Sequence, residues 1–166
     1  VLEEGKIVFK NYTDYYEKAY GIPPDLVKRH LSQVRYELPN GKICYGVGMK
    51  NQSGGYELAN GKFVSKVGVQ DITTLKYENE NKNVLIFNYT EDYLQYLAIQ
   101  GVDRTREDVI ILNGEEQIEK AKQYIANSNY QKIIHIGETS SNVSQLSSDI
   151  FTLTFEDIKR SKQQKT

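Results

Sequence analysis

From residue 83 onward, short apolar runs alternate with amphipathic segments, and this alternation limits the possible folds more than any other feature of the chain. The runs are Val84–Phe87, Val109–Leu112, Ile133–Ile136 and Ile150–Leu153; between them lie Glu91–Ile99, Glu115–Ala126 and a polar stretch. A run of four apolar residues is too short for a buried helix, and its lack of polar alternation suits a strand covered on both faces. Strand, helix, strand, helix, strand predicts a parallel α/β sheet. Its crossovers should be right-handed, which leaves the carboxyl ends of the parallel strands on one edge, where α/β sheets bind ligands. The residues at that edge are Asn88, Asn113-Gly114 and Gly137.

The preceding half follows a different pattern. Asp14 to Leu31 is rich in helix formers but is broken at Gly21-Ile22-Pro23-Pro24, because consecutive prolines cannot continue a helix; two short helices are expected. Val34 to Gly68 carries Asn-Gly at 40–41 and 60–61 between β-branched and aromatic residues. An internal echo, Tyr36-Glu-Leu-Pro-Asn-Gly-Lys against Tyr56-Glu-Leu-Ala-Asn-Gly-Lys, recurs at a spacing of 20 residues. Two copies are too few for a solenoid. They predict an antiparallel meander with tight turns, in which both residues of each Asn-Gly pair adopt positive φ. The expected fold class is therefore α+β leading into α/β: helices and a meander over residues 1–76, a small parallel sheet flanked by helices over 77–158, and a frayed polar tail over 159–166.

Composition removes several function classes. The 166 residues include one cysteine, Cys44, and two distant histidines, His30 and His135, so neither an internal disulfide nor zinc-ligand spacing is available. No apolar run approaches the roughly 20 residues of a membrane helix. The chain opens Val1-Leu2-Glu3-Glu4 without a secretory pattern, which reads as a cytoplasmic segment of a longer protein. Four Asn-x-Ser/Thr triplets, at Asn11, Asn51, Asn88 and Asn142, are what an Asn- and Ser-rich chain produces by chance. The formal charge of −1 hides an asymmetry of +3 over residues 1–76 and −4 over 77–166. A basic half is compatible with a phosphate-bearing partner.

Tyr45 to Asp71, above all Lys50-Asn-Gln-Ser-Gly-Gly-Tyr-Glu-Leu-Ala-Asn60 followed by Gln70-Asp-Ile-Thr73, resembles the segment that precedes the Toprim domain in primase-like proteins of Bacteroides-type mobile elements. The order of elements matches over roughly residues 15–153. The resemblance implies a Toprim domain carrying a Glu-Gly pair after its first strand and an Asp-x-Asp after its third. Those carboxylates hold Mg²⁺ against phosphates during nucleotidyl transfer or strand cleavage. Here the Glu position is Asn88, the following Gly is Tyr89, and the two Asp positions are Gly137 and Thr139; the later helix acid is present as Asp92. Losing three carboxylates implies that no Mg²⁺ or other cofactor is held. Glu91 and Glu138 are neighbouring acids, but Glu91 reads as a first-turn helix acid, and strand alternation aims Glu138 away from the Asp-x-Asp direction. The polar stretch 139–148 is shorter than the family's region, and the family's upstream zinc-binding module has no counterpart here.

The other candidates have plain readings. Cys44 is a small strand thiol, His135 a strand histidine, and Gly54-Gly55 a turn, since no phosphate-loop pattern surrounds it. Thirteen tyrosines supply large core residues in a chain without Trp. Some of them lie near cations, as on single-strand-binding surfaces: Tyr45 and Tyr56 flank Lys50, with Lys62 and Lys66 beyond. The leading expectation is thus a non-catalytic Toprim-like module of a replication or mobile-element system. It would contact single-stranded DNA or a replication or mobilisation protein, with Lys50, Lys62, Lys66, Tyr45 and Tyr56 as the nucleic-acid-binding candidates. One alternative is an active Mg²⁺-dependent primase-type or nuclease-type enzyme using relocated acids. Another is a protein-interaction module that binds no nucleic acid.

Overall fold

The computed structural model describes residues 1–61, 63–77, 81–138 and 142–164, in two compact units, Val1–Asp71 and Ile72–Thr166. The first unit runs β1 (Glu3–Gly5), α1 (Lys10–Tyr20), α2 (Pro24–His30), β2 (Ser32–Glu37), β3 (Ile43–Gly48), β4 (Tyr56–Asn60) and β5 (Phe63–Val67). The two helices break where Gly21 turns left-handed at φ 68°, and Pro24 opens α2 at the position where its missing N–H costs nothing. The five strands pair antiparallel in chain order, as a meander should. Val34, Tyr36, Tyr56 and Leu58 form a buried cluster on one face of this sheet.

The hairpin turns differ from expectation. Only the glycines take positive φ, 86° at Gly41 and 60° at Gly61; among the described residues Asn113 is the one non-glycine that does so. In the first hairpin Gly41 N donates to Leu38 O at 2.8 Å and Leu38 N donates to Lys42 O at 2.9 Å. These bonds close a three-residue loop in which a type I turn is followed by a left-handed glycine. Pro39, with its fixed φ, suits the leading turn position and leaves Asn40 at negative φ. In the second hairpin Asn60 pairs with Phe63 as the last strand residue, and its amide donates to Tyr45 O at 2.9 Å.

The second unit contains β6 (Thr73–Leu75), β7 (Asn83–Phe87), α3 (Thr90–Gln100), β8 (Asp108–Ile111), α4 (Ile118–Ala126), β9 (Lys132–Ile136), β10 (Phe151–Leu153) and α5 (Phe155–Gln164). Its sheet order is β10-β9-β7-β8-β6, parallel throughout except for β6, which runs antiparallel to β8. The chain is thus α+β leading into α/β. Successive residues of β7 serve opposite faces. Val84 and Ile86 join Ile110, Ile118, Ala121 and Ile125 under α4, whereas Phe87 meets Tyr93 and Tyr96 of α3 with ring centroids 5.3 and 5.5 Å apart.

Two boundaries depart from the sequence reading. Residues 72–76 belong with the second unit because Ile72 lies in its core and β6 edges its sheet; a three-residue strand is too short to show a period. The tail expected to fray from Lys159 instead continues α5 to Gln164. Thr154 and Asp157 cap that helix reciprocally: Thr154 N donates to Asp157 Oδ2 at 3.0 Å and Asp157 N donates to Thr154 Oγ1 at 3.1 Å. Ile158 then buries the inner face of the helix, while Lys162 Nζ reaches Gln100 O at 3.1 Å.

Candidate functional site

A cleft of about 200 Å³ opens at the carboxyl edge of the parallel strands. All three central strand exits contribute: Asn88 and Tyr89 after β7, Gly114 and Glu115 after β8, and Glu138 and Asn142 after β9; Leu112, Ile118 and Val143 supply apolar lining. The chain leaves β7 for α3 on one face and β8 for α4 on the other, so the exits diverge and a crevice forms between them.

Asn88 follows Ile86 by one alternation and therefore shares its face, and Ile86 stands beside His135 in the β7–β9 pairing. His135 is 0% exposed, and its Nε2 lies 3.0 Å from Asn88 Oδ1. Burial alone pushes the imidazole down to about pKa 4, so at neutral pH the ring is uncharged. An amide oxygen can only accept, so Nε2 carries the proton and donates. Nδ1 then remains the acceptor nitrogen, buried without a hydrogen-bond partner among the described residues. The plain reading of His135 as a core histidine thus holds for its burial, while only one of its two nitrogens is satisfied.

Gly137 ends β9 at φ 136°, a conformation that resists any Cβ, and its N–H donates to Leu153 O at 2.9 Å. This bend breaks the strand alternation and turns Glu138 into the cleft, contrary to the direction expected from the strand pattern. Asn113, expected at the functional edge, serves the structure instead. At φ 62° it hands its amide to Thr73 Oγ1 at 2.9 Å, tying the β8 exit to β6. Thr139 lies outside the described residues.

The cleft rim is acidic. Burial, reinforced by the neighbouring charges of Glu91 and Glu138, pushes the Asp92 carboxyl up to about 6, even though it accepts the Tyr89 N–H at 3.2 Å. Glu91 is also pushed up by burial. Among the described residues no group of three or more His, Cys, Asp or Glu side chains is arranged to hold a metal ion.

Of the sequence-predicted nucleic-acid residues, the fold brings Lys50 and Tyr56 together, but without an exposed ring. Lys50 Nζ sits 3.6 Å from Glu4 Oε2 and 5.9 Å from the Tyr56 ring centroid; Lys66 Nζ sits 3.4 Å from Glu57 Oε1 and donates to Gln70 Oε1 at 3.3 Å. Tyr56 is only 3% exposed, so its ring packs in the core and has no free face for a base. Tyr45 keeps 38% of its surface exposed. Lys62 lies outside the described residues.

The Lys50–Asn60 string that carried the resemblance has a structural explanation. Asn51 is buried: its Oδ1 accepts from Ser53 N and Gly55 N, both at 2.9 Å, its own N donates to Gly55 O at 2.8 Å, and its Nδ2 donates to Val69 O at 2.8 Å. The Ser53 hydroxyl donates to Asp71. A Cβ on Gly55 would collide with the Val69 carbonyl oxygen, so the loop closes only with glycine there. The N–H groups of Ser53, Gly54 and Gly55 are spent inside the loop, as a turn requires and a phosphate cradle forbids.

Residues 6–68 match a protein family described as a domain of unknown function (DUF8464). No curated protein matches the chain. Among solved structures, the primase fragment of the bacteriophage T7 primase-helicase protein superposes with a TM-score of 0.52 at 12% identity, over 99% of this chain and 76% of that one. At that identity the likeness is one of fold, and this chain has a primase-like α+β architecture.

Proposed function

We propose that this chain is a non-catalytic, Toprim-like module of a replication or mobile-element system, which contacts single-stranded nucleic acid or a replication partner rather than transferring nucleotides. The observation that carries the reading is the Asn88–His135 pair. At the strand exit where the resemblance calls for a metal-binding glutamate, a neutral amide is hydrogen-bonded to a neutral, buried imidazole. Hard Mg²⁺ is held by oxygen ligands that include carboxylates, and an amide whose oxygen already accepts an N–H is a poor substitute. Gly137 brings no side chain at all. The Asn88 amide, the His135 imidazole and Gly137 therefore do not make a donor set that fits Mg²⁺.

A second reading is favoured by one specific observation: Asp92, the helix acid the resemblance does call for, feels the charges of both Glu91 and Glu138, so two further acids stand near the same edge. Calorimetric titration of the chain with Mn²⁺ decides between the two. The non-catalytic reading expects nothing tighter than millimolar and blank priming and nicking assays. Saturable micromolar binding that disappears in Glu138→Gln would establish relocated acids in its place.

A further inference from the structure

We propose that the first unit binds single-stranded nucleic acid in a groove between the β1–α1 connection and the open face of β2 and β3, a surface distinct from the lysines singled out by sequence. The inference rests on the nucleic-acid reading above and specifies where the contact is made. The groove has a volume of about 410 Å³, within the roughly 300–1,000 Å³ usual for small-ligand clefts, and is lined by Glu3, Lys6, Phe9, Gln33, Arg35 and Tyr45.

Three features suit a nucleotide. The first is an aromatic platform. Phe9 and Tyr45 meet edge-on, with centroids 5.6 Å apart and planes at 80°, and both remain exposed, at 43% and 38%. Their packing on each other fixes ring orientation, so a stacking base would not have to order two free side chains.

The second feature is the supply of donors. Gln33 Oε1 accepts from Val8 N at 3.1 Å and Phe9 N at 3.3 Å, which commits the carbonyl and leaves the amide nitrogen, with its two hydrogens, facing no partner among the described residues. Lys6 is exposed and makes no ion pair among the described residues. Arg35 stands directly across the β2–β3 pairing from Tyr45, on the same face of the sheet. Among the described residues its one close acid is the exposed Glu3, at 3.7 Å through Nε, a distance that leaves the rest of the guanidinium fork open.

The third feature is charge. Two cations and an amide donor face one carboxylate, which favours an anion over a neutral or basic partner, and the aromatic platform beside them makes that anion a nucleotide phosphodiester. Lys50 and Lys66, like Arg35, each lie within 4 Å of a glutamate oxygen, but the ring beside Lys50 is Tyr56, which is buried and offers no exposed platform.

Fluorescence anisotropy of the full chain with a labelled oligothymidylate of about 10 nucleotides, at several salt concentrations, tests this. Tyr45→Ala should weaken binding by about tenfold or more, while Tyr45→Phe, which keeps the ring, should bind like the parent. Arg35→Gln should lower the slope of log K against log salt by about 0.7, and Lys66→Gln should leave both affinity and slope unchanged. Thermal melts should be alike for all four variants, because the altered side chains are exposed or half-exposed. Binding by the parent chain that persists unchanged in Tyr45→Ala and Arg35→Gln would overturn the groove and leave the nucleic-acid reading standing. No binding by the parent chain even at low salt would overturn that reading, and the groove with it.

Discussion

Replacing His135 with leucine should make the chain more acid-resistant, by an amount the structure sets. The imidazole is completely buried and titrates near 4, against an ordinary value near 6.5 in the unfolded chain. Between those values the unfolded state binds the proton and the folded state does not, so stability falls as pH drops through 6.5 towards 4. The linkage relation puts the loss between pH 7 and pH 5 at about 2 kcal/mol. Leucine cannot titrate. At pH 7 its cost is one hydrogen bond to Asn88, about 1 kcal/mol, because half-buried Asn88 can turn its oxygen to water, and the orphaned Nδ1 disappears with the ring. The variant should therefore lie slightly below the parent at pH 7 and about 1 kcal/mol above it at pH 5. Urea unfolding followed by far-ultraviolet circular dichroism at pH 5, 6 and 7 measures this difference. Taking the difference between the two proteins cancels every other titrating group, including Asp92, whose contribution runs the opposite way. A difference that stays constant with pH, or moves in the parent's favour on acidification, would show that His135 is not held as a buried neutral ring.

Two further outcomes follow from the same geometry. Asp92 is pushed up to about 6, so its folded form binds more protons than the unfolded chain between the ordinary carboxylate value and 6, and its ionisation costs stability as pH rises through that window. Asp92→Asn, which can still accept the Tyr89 N–H, should gain on the parent by about 1 kcal/mol between pH 4 and pH 7 in the same unfolding assay, a modest figure because the carboxylate is partly screened by solvent. Gly55→Ala should destabilise the first unit by about 2 kcal/mol or more, through the collision with the Val69 carbonyl; equal melting temperatures for the two proteins would refute the loop closure around Asn51.

Much of this architecture was legible locally. The apolar runs at 84–87, 109–112 and 133–136 are strands because a continuous apolar run needs cover on both faces, and α3 and α4 provide it. The helix break at Gly21-Ile22-Pro23-Pro24 and the antiparallel meander follow from backbone chemistry that each residue carries with it. The carboxyl edge could be named as well, because a parallel sheet must place its strand exits together, and Asn88 and Gly114 do line the cleft. What depended on partners distant in the chain could not be read. Asn113 satisfies Thr73, forty residues away, and so leaves the site. Asn142, met in the sequence only as a glycosylation-like triplet, enters the cleft, and the bend at Gly137 sends Glu138 there against the strand period. Lys50 and Lys66 are positive charges in any listing of the sequence, yet whether a charge is free depends on which carboxylate the fold sets beside it, here Glu4 and Glu57. Tyr45 and Tyr56 are the same residue type in neighbouring strands, and only the face each one takes distinguishes a half-exposed ring from a core side chain. Backbone preference is short-range and written residue by residue, whereas burial and charge pairing are properties of neighbours in space, and these were decided only when the chain folded.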